Sequence, residues 1–331
     1  VDLLRDFNTA RIADSIPSCT SGRYCYGVTK VSYSSGVAGV AYVSQGSANA
    51  HAALGWDYLP SGSEVAAHEL AHNWGRNHAP SCGAGNPDPS YPHPDGIVGS
   101  YGLDVSTVTL KADTLSDIMG YCDPKWIGEY SYRGVMNYRI ANPLVAGSGP
   151  AQPAQPAVLV WGRIREGELL LEPAFQVTTM PRLPARPGPY AVTGLAEDGS
   201  TIFDLSFTPN QVADLPGSTE EHFAFAVPLS RGQADRLSKI RLAGKGREIV
   251  RQAGLGSGPD SLEVQPSGNR GVSLRWNAGA HPVIMVRDPA TGQVLSFARG
   301  GAARIATGKS QLDIVLSDGV RSRLRRMQIT R

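Results

Sequence analysis

The sequence predicts an α+β domain over residues 1–140 followed by all-β sandwich modules. Three observations carry that prediction. Helical and strand hydrophobic periods interleave in the first 140 residues. A charge-poor Pro/Ala stretch, ANPLVAGSGPAQPAQPA at 141–157, reads as a semi-rigid linker. Beyond it, short apolar runs are separated by turn signals.

Taken in order, LLRDFNTARIAD sets apolar residues at helical spacing, and YCYGVTKVSY and GVAGVAYVSQ alternate or run apolar like strands. SEVAAHELAHNW is helical again. Ser61 and Glu64 stand in the S-x-x-E relation of a capping box, and Gly75 suits the left-handed residue that ends a helix, so a helix is predicted over 62–74. Residues 83–104 form a Gly/Pro-rich loop of a length that is usually functional or pinned by a metal. A second helix is predicted to start with Asp123 as N-cap and Pro124 at the first helical position, burying Trp126, Ile127, Tyr130 and Tyr138. After the linker, VLVWGRI, ELLLEP, TIFDLSF, HFAFAVPL, VSLRW, PVIMVRD, QVLSFA and LDIVLSD are predicted strands of two sandwich modules, 158–254 and 260–331.

Composition narrows the function classes. A net charge of +2 gives no field for nucleic acid or an anionic membrane, and the basic end RSRLRRMQITR alternates with Leu324 and Met327 like a solvated strand face. No apolar run approaches a membrane span. The chain starts at Val1 with no apolar leader, which reads as a trimmed or processed form. Four cysteines in two pairs with no C-x-x-C favour disulfides, hence an oxidising, secreted setting, over four free thiols.

Three of the seven histidines fall within HELAHNWGRNHAP, residues 68–80. His68 and His72 are four apart on one helical face, so both imidazoles reach one metal, with Glu69 beside that face. His78 on a continued helix would lie about 9 Å further along and about 120° round. Gly75 turns the chain back and makes His78 a third donor. Requiring Gly and His at those two positions, with 38 Gly and 7 His in 331 residues, cuts chance matches roughly four-hundred-fold. The expected group is a Zn²⁺ held by His68, His72 and His78 with a fourth position open.

These residues resemble the metzincin metalloproteases, whose signature H-E-x-x-H-x-x-G-x-x-H is followed by a Met-turn. The Met-turn counterpart is SDIMGYC, with Met119 forty-one residues after His78. The resemblance covers residues 1 to about 140, with specific motifs from 61 to 122. It implies a metzincin-like catalytic domain, a mixed sheet with a zinc-binding helix, acting as a secreted endopeptidase. Such a domain hydrolyses peptide bonds by a zinc-activated water, with Glu69 as general base. It makes Met119 an apolar floor beneath the metal, and Tyr121, in the M-x-Y relation of the astacin-like and serralysin-like branches, a residue near zinc that stabilises the oxyanion; a buried structural tyrosine is the competing role. Ala79 after the third histidine matches neither branch, so the family within the clan stays unassigned. Metzincin domains usually place more chain before the zinc helix, so a strand or prosegment is expected to precede Val1. The resemblance also makes GVAGVAYVSQ a strand that pairs with extended substrate.

Convergence of the third-ligand segment and the Met-turn at the metal pairs Cys82 with Cys122, leaving Cys19 with Cys25. Asp88, Asp95 and Asp104 make a Ca²⁺ ion in the 83–104 loop a secondary expectation. Expected partners are protein or glycoprotein substrates, with no nucleic acid, no membrane span and a monomeric chain; carbohydrate-binding sandwiches would point to glycoproteins. The alternative from another class is a non-catalytic adhesin or binding protein on a metzincin scaffold, against which retention of Glu69 argues.

Overall fold

The computed structural model describes the chain except residues 15–22, 31–33, 35, 45–49, 144–152, 185, 216–218, 255–260, 269 and 331. It divides into two compact units. Unit 1 contains Val1–Leu4, Gly22–Ser148 and Asn210–Glu221, and unit 2 contains Arg5–Ser21, Gly149–Pro209 and His222–Arg331.

In unit 1, β1 (Cys25–Thr29), β2 (Gly39–Val43), β3 (Ala52–Trp56) and β13 (Asn210–Val212) lie in the order β1-β3-β2-β13. β1 and β3 run parallel, with Cys25 opposite Ala52, while β2 is antiparallel to β3 and β13 antiparallel to β2. All five residues of β2 are buried, because helix α2 (Gly62–Asn73) lies across β2 and β3. Asn73, fully buried, fastens that packing: its Nδ2 donates to the carbonyls of Tyr42 on β2 and Ala52 on β3, at 2.9 and 3.1 Å. A hairpin of β4 (Gly102–Asp104) and β5 (Thr109–Lys111), a short parallel pair of β6 (Ser116–Asp117) and β7 (Lys125–Trp126), and helix α3 (Glu129–Ala141) complete the unit.

Unit 2 is all sheet apart from two helices among its described residues. β8 (Gln155–Arg165), β9 (Glu168–Leu171), β10 (Phe175–Thr179) and β14 (Glu220–Pro228, in unit 2 from His222) form one sheet. β11 (Tyr190–Ala196), β12 (Thr201–Phe207), β15 (Leu237–Gly244) and β16 (Arg247–Gln252) form the facing one. Further on, β17 (Leu262–Pro266), β18 (Gly271–Trp276) and β21 (Ala302–Ala306) face β19 (Val283–Arg287), β20 (Val294–Arg299), β22 (Gln311–Ser317) and β23 (Ser322–Gln328). The basic C-terminal run falls on β23, whose Arg323, Leu324, Arg325 and Arg326 are exposed.

The period of two in β8 explains why VLVWGRI reads as an unbroken apolar run. Val158 and Val160 enter a core with Val192, Phe223 and Leu242, while Ala157, Leu159 and Trp161 enter another on the opposite face. That second core includes Val283, Met285 and Val315, and the alternate residues Ile284, Val286 and Leu316 build a third. Both faces of β8 and β19 are covered, so the strands of 158–254 and of 262–328 share a core.

The α+β class predicted from the sequence, with its metzincin-like catalytic domain, is overturned. Among the described residues the chain is mostly β, 44% strand against 15% helix. Part of the reason is where the helices go. Helix α1 (Asp2–Ala13), counted with the first domain by its periodicity, buries Ile12 and Ala13 in the β8/β19 core of unit 2. There Thr179 Oγ1 donates to the Ile12 and Asp14 carbonyls at its C-terminus, at 3.0 and 2.9 Å. The helix predicted from Asp123 begins only after Gly128, because Lys125 and Trp126 pair with Ser116 and Asp117 as β7. Ser61 makes no side-chain cap, so the predicted capping box does not form there; one forms instead at Ser230 and Gln233, opening α4 (Arg231–Arg236). Most of the predicted 141–157 linker lies outside the described residues, and its last three begin β8.

Just past α1, Asp14 offers an expected result in unit 2. Burial pushes its carboxyl up to about 6, against the opposing pull of the Val294 N–H, 2.6 Å away, and of Arg287. A raised folded value means the folded state holds this proton more tightly than the unfolded chain. The favourable contribution is therefore complete below the unfolded value near 3.8 and lost as pH rises through about 6. Asp14→Asn keeps an oxygen for Val294 without the charge. Its melting temperature is expected to exceed the parent's at pH 7.5 and to converge with it by pH 4; an equal difference at both would show that ionisation is not the cost.

Candidate functional site

The three histidines of the 68–80 stretch lie on α2 and the turn after it. His68, His72 and His78 are 8%, 1% and 4% exposed. Gly75 has φ +77°, and its N–H reaches the His72 carbonyl at 2.9 Å while Arg76 N–H reaches Ala71. This left-handed residue ends α2 and brings His78 back over the helix, as the spacing predicts. A Cβ on Gly75 would stand 3.1 Å from the Ser44 carbonyl. Gly75→Ala is expected to cost about 1–2 kcal/mol and to weaken zinc binding, read by chelator competition. Gly199→Ala, equally left-handed (φ +82°) but in open space in unit 2, is the control that should lose stability alone.

Backbone carbonyls fix Nδ1 as a donor in each of the three rings. His68 Nδ1 is 2.7 Å from Ile118 O, His72 Nδ1 is 2.6 Å from Arg76 O, and His78 Nδ1 bonds Gly85 O. A carbonyl can only accept, so each Nδ1 carries a proton, and in the neutral ring Nε2 is the lone pair left to face a metal. The Nε2 atoms converge, with His72 3.2 Å from both His68 and His78. Bare lone pairs at that separation repel unless a cation lies among them, and tetrahedral Zn–N bonds of about 2.05 Å would set neighbouring nitrogens about 3.3 Å apart. The donor set therefore fits zinc.

A fourth donor comes from β13's end. Asp214 Oδ1 lies 3.0 Å from His78 Nε2 and 3.6 Å from His68 Nε2, and its Oδ2 3.1 Å from His72 Nε2. Among the described residues these four are the one group of three or more His, Cys, Asp or Glu able to hold a metal together. Tyr121 Oη donates to Asp214 Oδ1 and lies 3.5 Å from His78 Nε2, so the tyrosine stands at the site's edge, half exposed.

Glu69 is not among the donors. The residue is 2% exposed and its carboxyl is turned towards β2, where a Cβ on Gly39 would stand 2.4 Å from Oε1. The absent side chain of Gly39 makes room for it. Burial, then the neighbouring Asp214, pushes Glu69 well above the ordinary carboxyl range. Burial would raise Asp214 too, but the three imidazoles outweigh it and hold it far below. Burial lowers His72 to about 4, keeping it neutral as a metal donor must be. His78 is pulled down by burial but raised overall by Asp214 and the Gly85 carbonyl.

The floor and walls follow from the turn 116–122. Met119 is fully buried with Ala71, Ala79 and Tyr91, and Ala79 N–H bonds its carbonyl at 3.0 Å. Asp117, also fully buried, holds the turn by accepting from Met119 N, Gly128 N and Ser131 Oγ at 2.8–2.9 Å. Sequence reasoning passed over Asp117, although an Asp two residues before a turn N–H is a recognisable local signal. Cys82 and Cys122 are disulfide-bonded as predicted, with Cα atoms 5.3 Å apart, tying the His78 segment to the turn. Cys19 lies outside the described residues, so its pairing with Cys25 is not addressed. The three aspartates of the 83–104 loop form no metal group: Asp88 binds Ser90 N and Tyr130 Oη, and Asp104 binds Ser106 and Lys111.

No family model matches the chain, and no curated protein does. Solved structures that align with it include a biofilm-associated protein BSP domain, at 11% identity and TM-score 0.18 over 54% of this chain and 29% of that one. Others are the Dpr11 IG1 structure with DIP-gamma, at 10% identity and TM-score 0.16 over 54% and 92%, and an amphioxus IgVJ-C2 molecule, at 12% and 0.15 over 54% and 98%.

Proposed function

We propose that the chain is a secreted zinc-dependent endopeptidase acting on protein or glycoprotein substrates, with His68, His72 and His78 as metal donors. One observation carries the reading: three imidazole Nε2 atoms, their rings oriented by backbone carbonyls at Nδ1, converge beside a buried glutamate that is not itself a donor. The signature residues that this arrangement gathers are those whose resemblance to metzincins was noted in the sequence. Zinc, when bound, would supply Lewis-acid polarisation of a scissile carbonyl and of an attacking water.

The chain's own residues do the rest. Glu69, one residue from His68, takes a proton from the attacking water and returns it to the leaving amine. Tyr121 Oη, a donor at the edge of the cluster, is placed to steady negative charge on the carbonyl oxygen. Met119 and the Asp117 turn hold the His68 ring through the Ile118 carbonyl. The Cys82–Cys122 disulfide supports an oxidising location.

The test uses the zinc-loaded chain and its Asp214→Ala variant on unfolded protein, with new N-termini identified by mass spectrometry. Cleavage that stops with 1,10-phenanthroline and returns with zinc is the expected result. No cleavage by either form would leave a metal-binding protein without this activity.

A further inference from the structure

We propose that residues 210–214 are a built-in block of the candidate site: β13 takes the edge of β2, and Asp214 takes the fourth metal position. This rests on the peptidase reading above and adds its regulation.

The backbone comes first. Gln211 pairs with Val43 and Val212 with Tyr42, and Ala213 N–H donates to the Ala41 carbonyl at 2.9 Å. This is the antiparallel pairing that an extended peptide makes when it adds to a sheet edge. While β13 is there, that edge of β2 has no free pairing positions for a substrate opposite Ala41–Val43.

The side chain of Asp214 continues the same blockade. Its two oxygens lie 3.0–3.6 Å from all three Nε2 atoms. A catalytic zinc keeps one position open, whereas three imidazoles and a carboxylate fill a tetrahedral set. Tyr121 Oη is committed to the same carboxylate. Asp214 also has φ +60°, a left-handed backbone that Asp adopts more readily than most residues with a Cβ. The segment is an excursion in the chain, entering unit 1 at Asn210 and leaving it after Glu221. It can therefore leave β2 without removing any of the three histidines from α2 and its turn.

The experiment uses the full chain loaded with Co²⁺ and titrated with acetohydroxamate, read from the visible cobalt spectrum. Two variants accompany it. Asp214→Ala deletes the carboxylate. Ala213→Pro deletes the N–H that bonds Ala41 and leaves every donor in place. Both are expected to retain cobalt and to bind acetohydroxamate at least about tenfold more tightly than the parent, the ratio for a site open less than about a tenth of the time. Equal affinity in parent and variants overturns the block. So does a folded Asp214→Ala chain that no longer binds cobalt, which would make Asp214 an obligate ligand of a closed site. If circular dichroism shows Asp214→Ala unfolded, Ala213→Pro decides by the same readout. Hydroxamate entry into opened variants that cleave no peptide keeps the block and refutes the peptidase reading; a parent that binds no cobalt refutes both.

Discussion

Replacing Glu69 with Gln is expected to leave zinc content and fold intact and to lower peptide hydrolysis by roughly 10²–10⁴-fold, the usual worth of general-base assistance. Gln has nearly the same shape, so the space left by Gly39 stays filled and no cavity opens. None of the four metal-directed donors changes. What disappears is the only group in this arrangement assigned to carry the proton from water to amine. The change also removes one of two neighbouring buried carboxyls, so the melting temperature should not fall. Zinc by elemental analysis, thermal melting and hydrolysis are compared in the full chain and in the Asp214→Ala background. Retained zinc with undiminished hydrolysis would remove Glu69 from the mechanism; lost zinc would mean it is needed to build the site.

His72→Ala is expected to abolish zinc binding and activity together, and to remove the stability that metal confers on the parent. His72 is the central donor, 3.2 Å from both other imidazole nitrogens and almost fully buried. A ligand present at a thousand times its dissociation constant stabilises the native state by about 4 kcal/mol. Removing zinc from the parent with a chelator should therefore lower its melting temperature substantially. The variant also loses packing and the bond to the Arg76 carbonyl, so its lower stability by itself proves little. The discriminating measurement is the chelator effect, large in the parent and negligible in His72→Ala. A variant that still responds to the chelator would place the stabilising metal elsewhere.

How far the site was legible follows from sequence distance. His68, His72, Gly75 and His78 lie within eleven residues, where helical period and one left-handed glycine determine geometry locally. The Cys82–Cys122 link and the buried Met119 were also readable, because both belong to segments that must approach these histidines. Helix α1 shows the opposite case. Its period revealed a helix correctly, but an amphipathic stripe says only that a partner exists, and the partner proved to be the β8/β19 core of unit 2. The same gap misassigned the start of α3: Asp123 and Pro124 are good local starters, but strand pairing of Lys125 and Trp126 overrode them.

By itself, then, the sequence determined the three histidines with their glutamate, the helix that carries them, the glycine that turns the third one back, and the many short strands beyond residue 157. Each is written in contacts between residues a few positions apart, or in a period of two or 3.6. Only the tertiary structure decided that the chain is mostly β, that both faces of β8 and β19 are buried, and that Asp214 stands among the histidines. Asp214 is 136 residues from His78. Nothing near it in the sequence marks it as a partner of the histidines, because its position is set by β13 pairing with β2, a non-local hydrogen-bonded contact for which the chain carries no periodic signal.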